Sequence, residues 1–249
     1  KNGYLQYTPE MHSGHSMRLT LEGDLRHALE SGDEFLLHYQ PQVSFSQQRT
    51  IGVEALIRWH HPRHGLMTPD LFIPLAEETG MILALGEWVV DQAFCQLATW
   101  RNQGLNGLKL AINLSPKEFE CNDLLERLLQ RLAAYALPAE AIDIEITENL
   151  LMKDAERNIN MVKQLRSSGL GVSIDDFGTR YSSLNYLRRF PVSSIKIDQS
   201  FVRDLNPNNA SSTSIIHAIA CIARSFGLHI LAEGVENSNY LVHASSGTF

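Results

Sequence analysis

The chain has 249 residues, a net charge of −7 and 44% hydrophobic residues, a composition that excludes a disordered or fibrous protein. A chain of this size buries roughly three quarters of its unfolded surface and needs no disulfide or metal staple to fold. The acidic balance, with no basic stripe, argues against duplex nucleic acid as a partner.

Taken in chain order, Lys1–Met17 has no signal-peptide core and no apolar run approaches the roughly 18 residues of a membrane span, so a cytoplasmic setting is expected. Short apolar runs at Phe35–Gln40 and Ile51–Ile57 predict two strands, and the few residues between them (43–50) are too short for a helical crossover, so the pair should be antiparallel. His60, His61 and His64, beside Pro62 and Gly65, are expected in an exposed loop near the mouth. Thr68-Pro69-Asp70 has the form of a helix start. Helical periodicity follows over Met81–Asn102, Leu124–Tyr135, Asp154–Ser168 and Ser212–Phe226, alternating with strands at Leu108–Ile112, Ala141–Ile146, Gly171–Ile174, Ser194–Ile197 and His229–Ala232. Trp88 and Trp100 fall in the helical pattern as packing residues. Cys95, Cys121 and Cys221 are too scattered for a disulfide framework or zinc ribbon and are expected as small buried side chains.

This alternation predicts an α/β fold in which helices cover a mainly parallel sheet, and seven strands suit a (β/α) barrel, with a doubly wound sheet as the other possibility. Strand C-terminal ends form the active face of a barrel. Here those ends or their immediate neighbours are Glu54, Asn113, Glu145 with Glu148, Asp175-Asp176, Lys196 with Asp198, and Glu233. Singly, each has a structural reading: Glu148 could cap a helix and Asp198 could start one. Together, so many acids would repel one another unless cations joined them. Oxygen donors point to hard divalent ions rather than zinc. Asp175-Asp176 suits two of them, with Lys196 to hold an attacking water. Metal-assisted phosphoester hydrolysis is favoured, while metal-dependent enolisation on a barrel would use similar parts.

Glu54-Ala55-Leu56 followed by Ile57-Arg58-Trp59 resembles the signature of the EAL family of cyclic di-GMP phosphodiesterases. The likeness extends over Tyr39-Gln40-Pro41, Phe72–Glu77, Asn113–Pro116, Glu145–Glu148, Asp175–Thr179, Lys196–Asp198 and Glu233–Glu236. The resemblance implies a TIM-like barrel with an antiparallel first strand, hydrolysis of cyclic di-GMP to linear pGpG, and Mg²⁺ or Mn²⁺ in a two-metal site, with Ca²⁺ an inhibitor or substitute. It further implies that Glu54, Asn113, Glu145 and Asp175 ligate the first metal and that Asp176, sharing Asp175, holds the second. Lys196 and Glu233 would act on the water, and Glu148, placed with this catalytic group, would steady the loop after the fifth of the seven strands. Gln40, Leu56 and Arg58 would border the dinucleotide. A non-catalytic cyclic di-GMP receptor is the alternative from another class.

The sequence departs from the family at three places. Arg180 stands where the family has Gly, which puts activation through that loop in question. Residues 237–249 match neither the family's last strand nor its Gln-Gly-Tyr segment, so the eighth strand is expected to be missing or altered. Residues 1–16 resemble the tail of an upstream diguanylate cyclase (GGDEF) domain or a linker, with the EAL-type barrel assigned to 17–249. A homodimer is the oligomeric state that the family implies.

Overall fold

The computed structural model describes residues 9–179, 187–203 and 210–235, with side chains from residue 18 onward and, in the last stretch, from residue 214. The expectations resting on Arg180, on residues 1–8 and on 236–249 therefore lie outside the described residues.

The chain opens with helix α1 (Pro9–Ser31), and the expected domain boundary at Met17 falls inside it. Strands β1 (Phe35–Ser44) and β2 (Arg49–His61) form an antiparallel hairpin that pairs Gln40 with Glu54 and His38 with Leu56. A short strand, β3 (Gly65–Met67), folds back on the end of β2. Helices α2 (Pro69–Thr79) and α3 (Ile82–Asn102) lead to β4 (Lys109–Asn113), after which come α4 (Pro116–Phe119) and α5 (Leu124–Ala134). Strand β5 (Ile142–Thr147) is followed by α6 (Glu148–Lys153) and α7 (Ala155–Ser167), and β6 (Gly171–Phe177) by β7 (Ser194–Ile197). The described chain ends with α8 (Gln199–Arg203), α9 (Ala210–Ser225) and β8 (His229–Ala232).

The strands make one curled sheet in the order β1-β2-β4-β5-β6-β7-β8, with β3 attached to β2. Every pairing from β2 to β8 along this order is parallel. The order never reverses, so there is no switch point of the kind a doubly wound sheet requires. The architecture is the barrel type, with β8 at the edge of the sheet among the described residues.

Period-two alternation gives the sheet two unlike faces. Outward side chains such as Ile144, Ile174, Ile195 and Ile197 are buried under the helices. A second core joins α1 and α2 to the far end of β2 through Leu25, Ala28, Trp59, Phe72 and Leu75. Trp88 and Trp100 are packing residues as expected, against Phe35 and Tyr39 respectively.

Two local expectations are corrected. His61 is not in an exposed loop: it is 1% exposed, enclosed at the end of a strand longer than its apolar run suggested. The cysteines are not buried small residues, since Cys95 and Cys221 are exposed and Cys121 is half-buried.

Candidate active site

Parallel register brings the strand ends level. Glu54, Asn113, Glu145, Asp175 and Lys196 sit on the inward face of successive strands, and Glu233 directly follows β8. Lys196 stands at the centre, 1% exposed. Its Nζ lies 2.7 Å from Glu233 Oε1, 2.8 Å from Glu145 Oε2, 3.0 Å from Glu54 Oε2 and 3.3 Å from Asp175 Oδ1. Asn113 joins the group by donating from Nδ2 to Glu54 Oε1 at 2.7 Å, which leaves its own Oδ1 as the oxygen it can offer a cation.

One ammonium does not balance four carboxylates, and Asp176 adds a fifth. Burial by itself would lower the Lys196 ammonium, but Glu145, Asp175, Glu54 and Glu233 together hold it far above the usual lysine range. The acids respond in kind. Burial pushes the Glu145 carboxyl well up, with Glu54 and Asp175 adding to the rise against the pull of Lys196. Burial also raises Glu233, with Asp175 and Glu54 adding, and raises Asp176, with Asp175 and Asp198 adding.

Two observations test whether a metal fits. Glu145 Oε1 is buried with no hydrogen-bond partner among the described residues, an expensive state for a carboxylate oxygen unless a cation meets it. Asp175, Asp176 and Glu233 can each present an oxygen within 4.8 Å of the others. An all-oxygen set of this kind suits Mg²⁺, Mn²⁺ or Ca²⁺. The residues fit a divalent cation site.

Asp176 also adopts a left-handed backbone, φ 55°, at a position where the β6–β7 register breaks. Left-handed φ is uncommon for a residue other than glycine, Asp and Asn being the tolerant ones. The turn aims the Asp175 and Asp176 carboxylates differently, and the Asp176 N–H donates to Asp175 Oδ1 at 2.9 Å. Glu148 is buried at the start of α6, where its Oε2 accepts from the Gly178 N–H at 3.3 Å. It thus ties the β5 connection to the loop after β6. Asp198 starts α8 by accepting from the Ser200 N–H at 2.9 Å.

The three residues expected to border a dinucleotide lie on the hairpin. Gln40 and Glu54 face each other across the β1–β2 ladder, and Leu56 and Arg58 continue the Glu54 face of β2. Gln40 is exposed, while Leu56 and Arg58 are half-buried. Arg58 donates to the carbonyl of its neighbour Ile57 and has no acidic partner among the described residues.

A polar layer lies beneath the site, formed by residues that belong to none of the motifs the sequence singles out. Asp143, Ser173 and Ser194 each stand two residues before a site residue on β5, β6 and β7.

Comparison with known proteins agrees with this geometry. The family model described as "EAL domain" matches residues 22–246. The chain is 42% identical over 236 residues to the bifunctional diguanylate cyclase/cyclic di-GMP phosphodiesterase MucR of Pseudomonas aeruginosa, covering 95% of this chain and 34% of that protein. It is 39% identical over 232 residues to the cyclic di-GMP phosphodiesterase PdeR of Escherichia coli, covering 93% and 34%. A solved structure of the MucR phosphodiesterase as a cyclic di-GMP complex superposes with a TM-score of 0.87 at 42% identity, over 91% of each chain. The chain spans about a third of the length of these curated relatives. With the family's model matched across most of its length and its acidic strand ends gathered on one face, the chain belongs to the EAL domain family.

Proposed function

We propose that the site hydrolyses cyclic di-GMP to linear pGpG with Mg²⁺ or Mn²⁺. The observation that carries this reading is the charge deficit around Lys196. Glu54, Glu145, Asp175, Asp176 and Glu233 against one ammonium leave four negative charges, the deficit that two divalent cations would cancel. Glu54, Asn113, Glu145 and Asp175 would hold one ion, and Asp176, sharing Asp175, the other. Bound there, the pair would supply an activated water and charge neutralisation at phosphorus.

The chain's own residues do the rest. Lys196 is a fixed donor that positions the water and faces charge developing on the phosphoryl oxygens. Glu233, the most open of the four carboxylates around it at 26% side-chain exposure, accepts the proton from water. Glu148 holds the Gly178 backbone and with it the Asp175-Asp176 turn. Arg58, without an acidic partner among the described residues, is available to a phosphate, and Leu56 and Gln40 border the same face.

The partners in this reading are cyclic di-GMP, the ligand in the MucR complex, an upstream GGDEF-like domain in the full protein, by analogy with the bifunctional naming of MucR, and a second copy in the homodimer that the family resemblance implies. No helix among the described residues is long and apolar enough to cross a membrane, and a cytoplasmic site of action accords with a nucleotide second messenger.

The test is incubation of the chain with cyclic di-GMP and Mn²⁺ or Mg²⁺, with separation of the products by chromatography. Appearance of pGpG that stops on chelation supports the reading. Tight cyclic di-GMP binding with no turnover in either metal would replace it with a receptor role. Turnover of a small organic acid without dinucleotide affinity would point to a lyase or isomerase.

A further inference from the structure

Layers inside a (β/α) barrel are filled mainly by branched apolar side chains, yet one step below the active-site layer this barrel carries Asp143, Ser173 and Ser194. Ser173 Oγ hydrogen-bonds Asp143 Oδ2, and Ser173 Oγ and Ser194 Oγ are 2.5 Å apart. Ser173 donates its one hydroxyl proton to Asp143, which leaves it to accept from Ser194. Gly171 makes room for it: a Cβ there would lie 2.2 Å from Asp143 Oδ1, so the Asp143 carboxylate lies flat against β6 rather than free in the lumen.

The three anchor points are not arbitrary. Asp143 precedes Glu145 by two residues on β5, Ser173 precedes Asp175 on β6, and Ser194 precedes Lys196 on β7. Those are three of the groups whose separations of 2.8 and 3.3 Å define the site. The backbone keeps β5 and β6 in register up to the pair Thr147–Asp175, but the β6–β7 ladder loses register between Ile174 and Phe177, one pair above Ser173–Ser194. Below the break, Ser193 fastens the start of β7 by exchanging hydrogen bonds with Val172, its Oγ donating to the carbonyl and accepting from the N–H, each at 2.8 Å.

We propose that Asp143, Ser173 and Ser194 are positioning residues: a side-chain strap across β5, β6 and β7 that sets the height of Lys196 against Glu145 and Asp175 where the β6–β7 ladder is broken. The kinetic part of this inference rests on the phosphodiesterase reading; the positioning part does not. Partners of metal ligands one layer out typically change metal affinity or activity 10–100-fold when lost.

Ser173→Ala removes the middle of the strap, and Ser173→Thr keeps the hydroxyl. With the full chain, Mn²⁺ binding is titrated by electron paramagnetic resonance, and kcat and KM for cyclic di-GMP are measured well below the melting temperature. The expected result for Ser173→Ala is Mn²⁺ affinity and kcat each lower by about tenfold with KM within about twofold, and recovery of both in Ser173→Thr. Ser194→Ala, which removes only the terminal donor, should show the same direction and covers the case in which Ser173→Ala does not fold. A merely structural strap would lower the melting temperature of both alanine variants while Mn²⁺ affinity and kcat stayed at wild-type values, and that result overturns the proposal. A wild-type chain that binds Mn²⁺ but leaves cyclic di-GMP intact removes the function reading alone, and the Mn²⁺ titrations still decide the strap. A wild-type chain that takes up no Mn²⁺ overturns both.

Discussion

Strand β2 carries two polar clusters, one at Glu54 and one at His61, and they are built on opposite plans. At His61 the charges close. Its Nδ1 accepts from the Arg63 N–H at 3.0 Å and the His64 N–H at 3.3 Å, so the ring proton sits on Nε2, which donates to Asp24 Oδ2 at 3.1 Å. Asp24 in turn pairs with the Arg63 side chain. Each polar group has its partner, and nothing further is required. At Glu54 the charges do not close: one lysine faces four carboxylates, and a buried Glu145 oxygen has no hydrogen-bond partner among the described residues. A closed cluster stabilises the fold by itself. An open one stabilises it only when something else binds.

The comparison breaks most visibly at Lys196. Lys196→Met leaves the carboxylates facing one another in a buried space, where loss of one partner of a buried ion pair costs about 3–5 kcal/mol. Cyclic di-GMP turnover should fall by about three orders of magnitude, while thermal unfolding without metal should start far earlier than in the wild type. Mn²⁺ should restore much of the melting temperature and little of the activity. Turnover within about tenfold of wild type would contradict the role given to Lys196.

Glu145→Gln should separate function from stability. The substitution keeps shape but removes a carboxylate that burial already pushes towards its neutral form. Turnover should drop by about 10²-fold or more and the stabilisation by Mn²⁺ should shrink, while the metal-free protein melts higher than wild type. A variant that melts lower without metal would mean that Glu145 is a balanced structural group like Asp24.

His61→Ala tests the closed cluster. It opens a cavity beside Trp59, whose ring centroid is 4.8 Å from that of His61, and strands the Arg63 and His64 N–H groups. The expected loss is about 2–3 kcal/mol, or a fall of roughly 4–12 °C in melting temperature for a domain of this size. The kcat of the folded fraction should stay within about twofold of wild type, since no residue of this cluster touches the Lys196 group.

What the sequence made legible follows the same division. Glu54, Asn113, Glu145, Asp175, Lys196 and Glu233 each follow or interrupt a short apolar run, so the barrel rule gathers them at one mouth from the sequence alone. The antiparallel hairpin was legible because eight residues cannot form a helical crossover. His61 was misjudged because Pro62 and Gly65 mark a turn. Asp24 of α1 meets its ring, and the buried Leu25 and Ala28 of the same helix pack in the core at that end of β2. The strap went unread for a different reason: serine in a strand has no distinctive local signature, and only the register shows Ser173 beside Ser194.

The smallest expected effect, and the one that reads the open cluster directly, is the pH dependence of the metal-free protein. Glu145 and Glu233 titrate above the ordinary carboxylate range in the folded chain because burial disfavours their charged forms and neighbouring acids add to it. The folded state then binds more protons than the unfolded state over the interval between the two pKa values, so stability falls as pH rises through that interval. This is opposite in sign to a salt-bridged acid such as Asp24, whose pairing with Arg63 and His61 outweighs desolvation and lowers its carboxyl, so its contribution is lost as pH falls. Metal-free protein should therefore melt higher at about pH 5.5 than at about pH 7.5, by the equivalent of about 1 kcal/mol, and saturating Mn²⁺ should flatten or reverse the trend because ligated carboxylates must be ionised. Thermal melts across that range with chelator and with Mn²⁺ measure it. A metal-free melting temperature that rises with pH would show that the acids around Lys196 are already balanced, and would remove the charge deficit on which the two-cation reading stands.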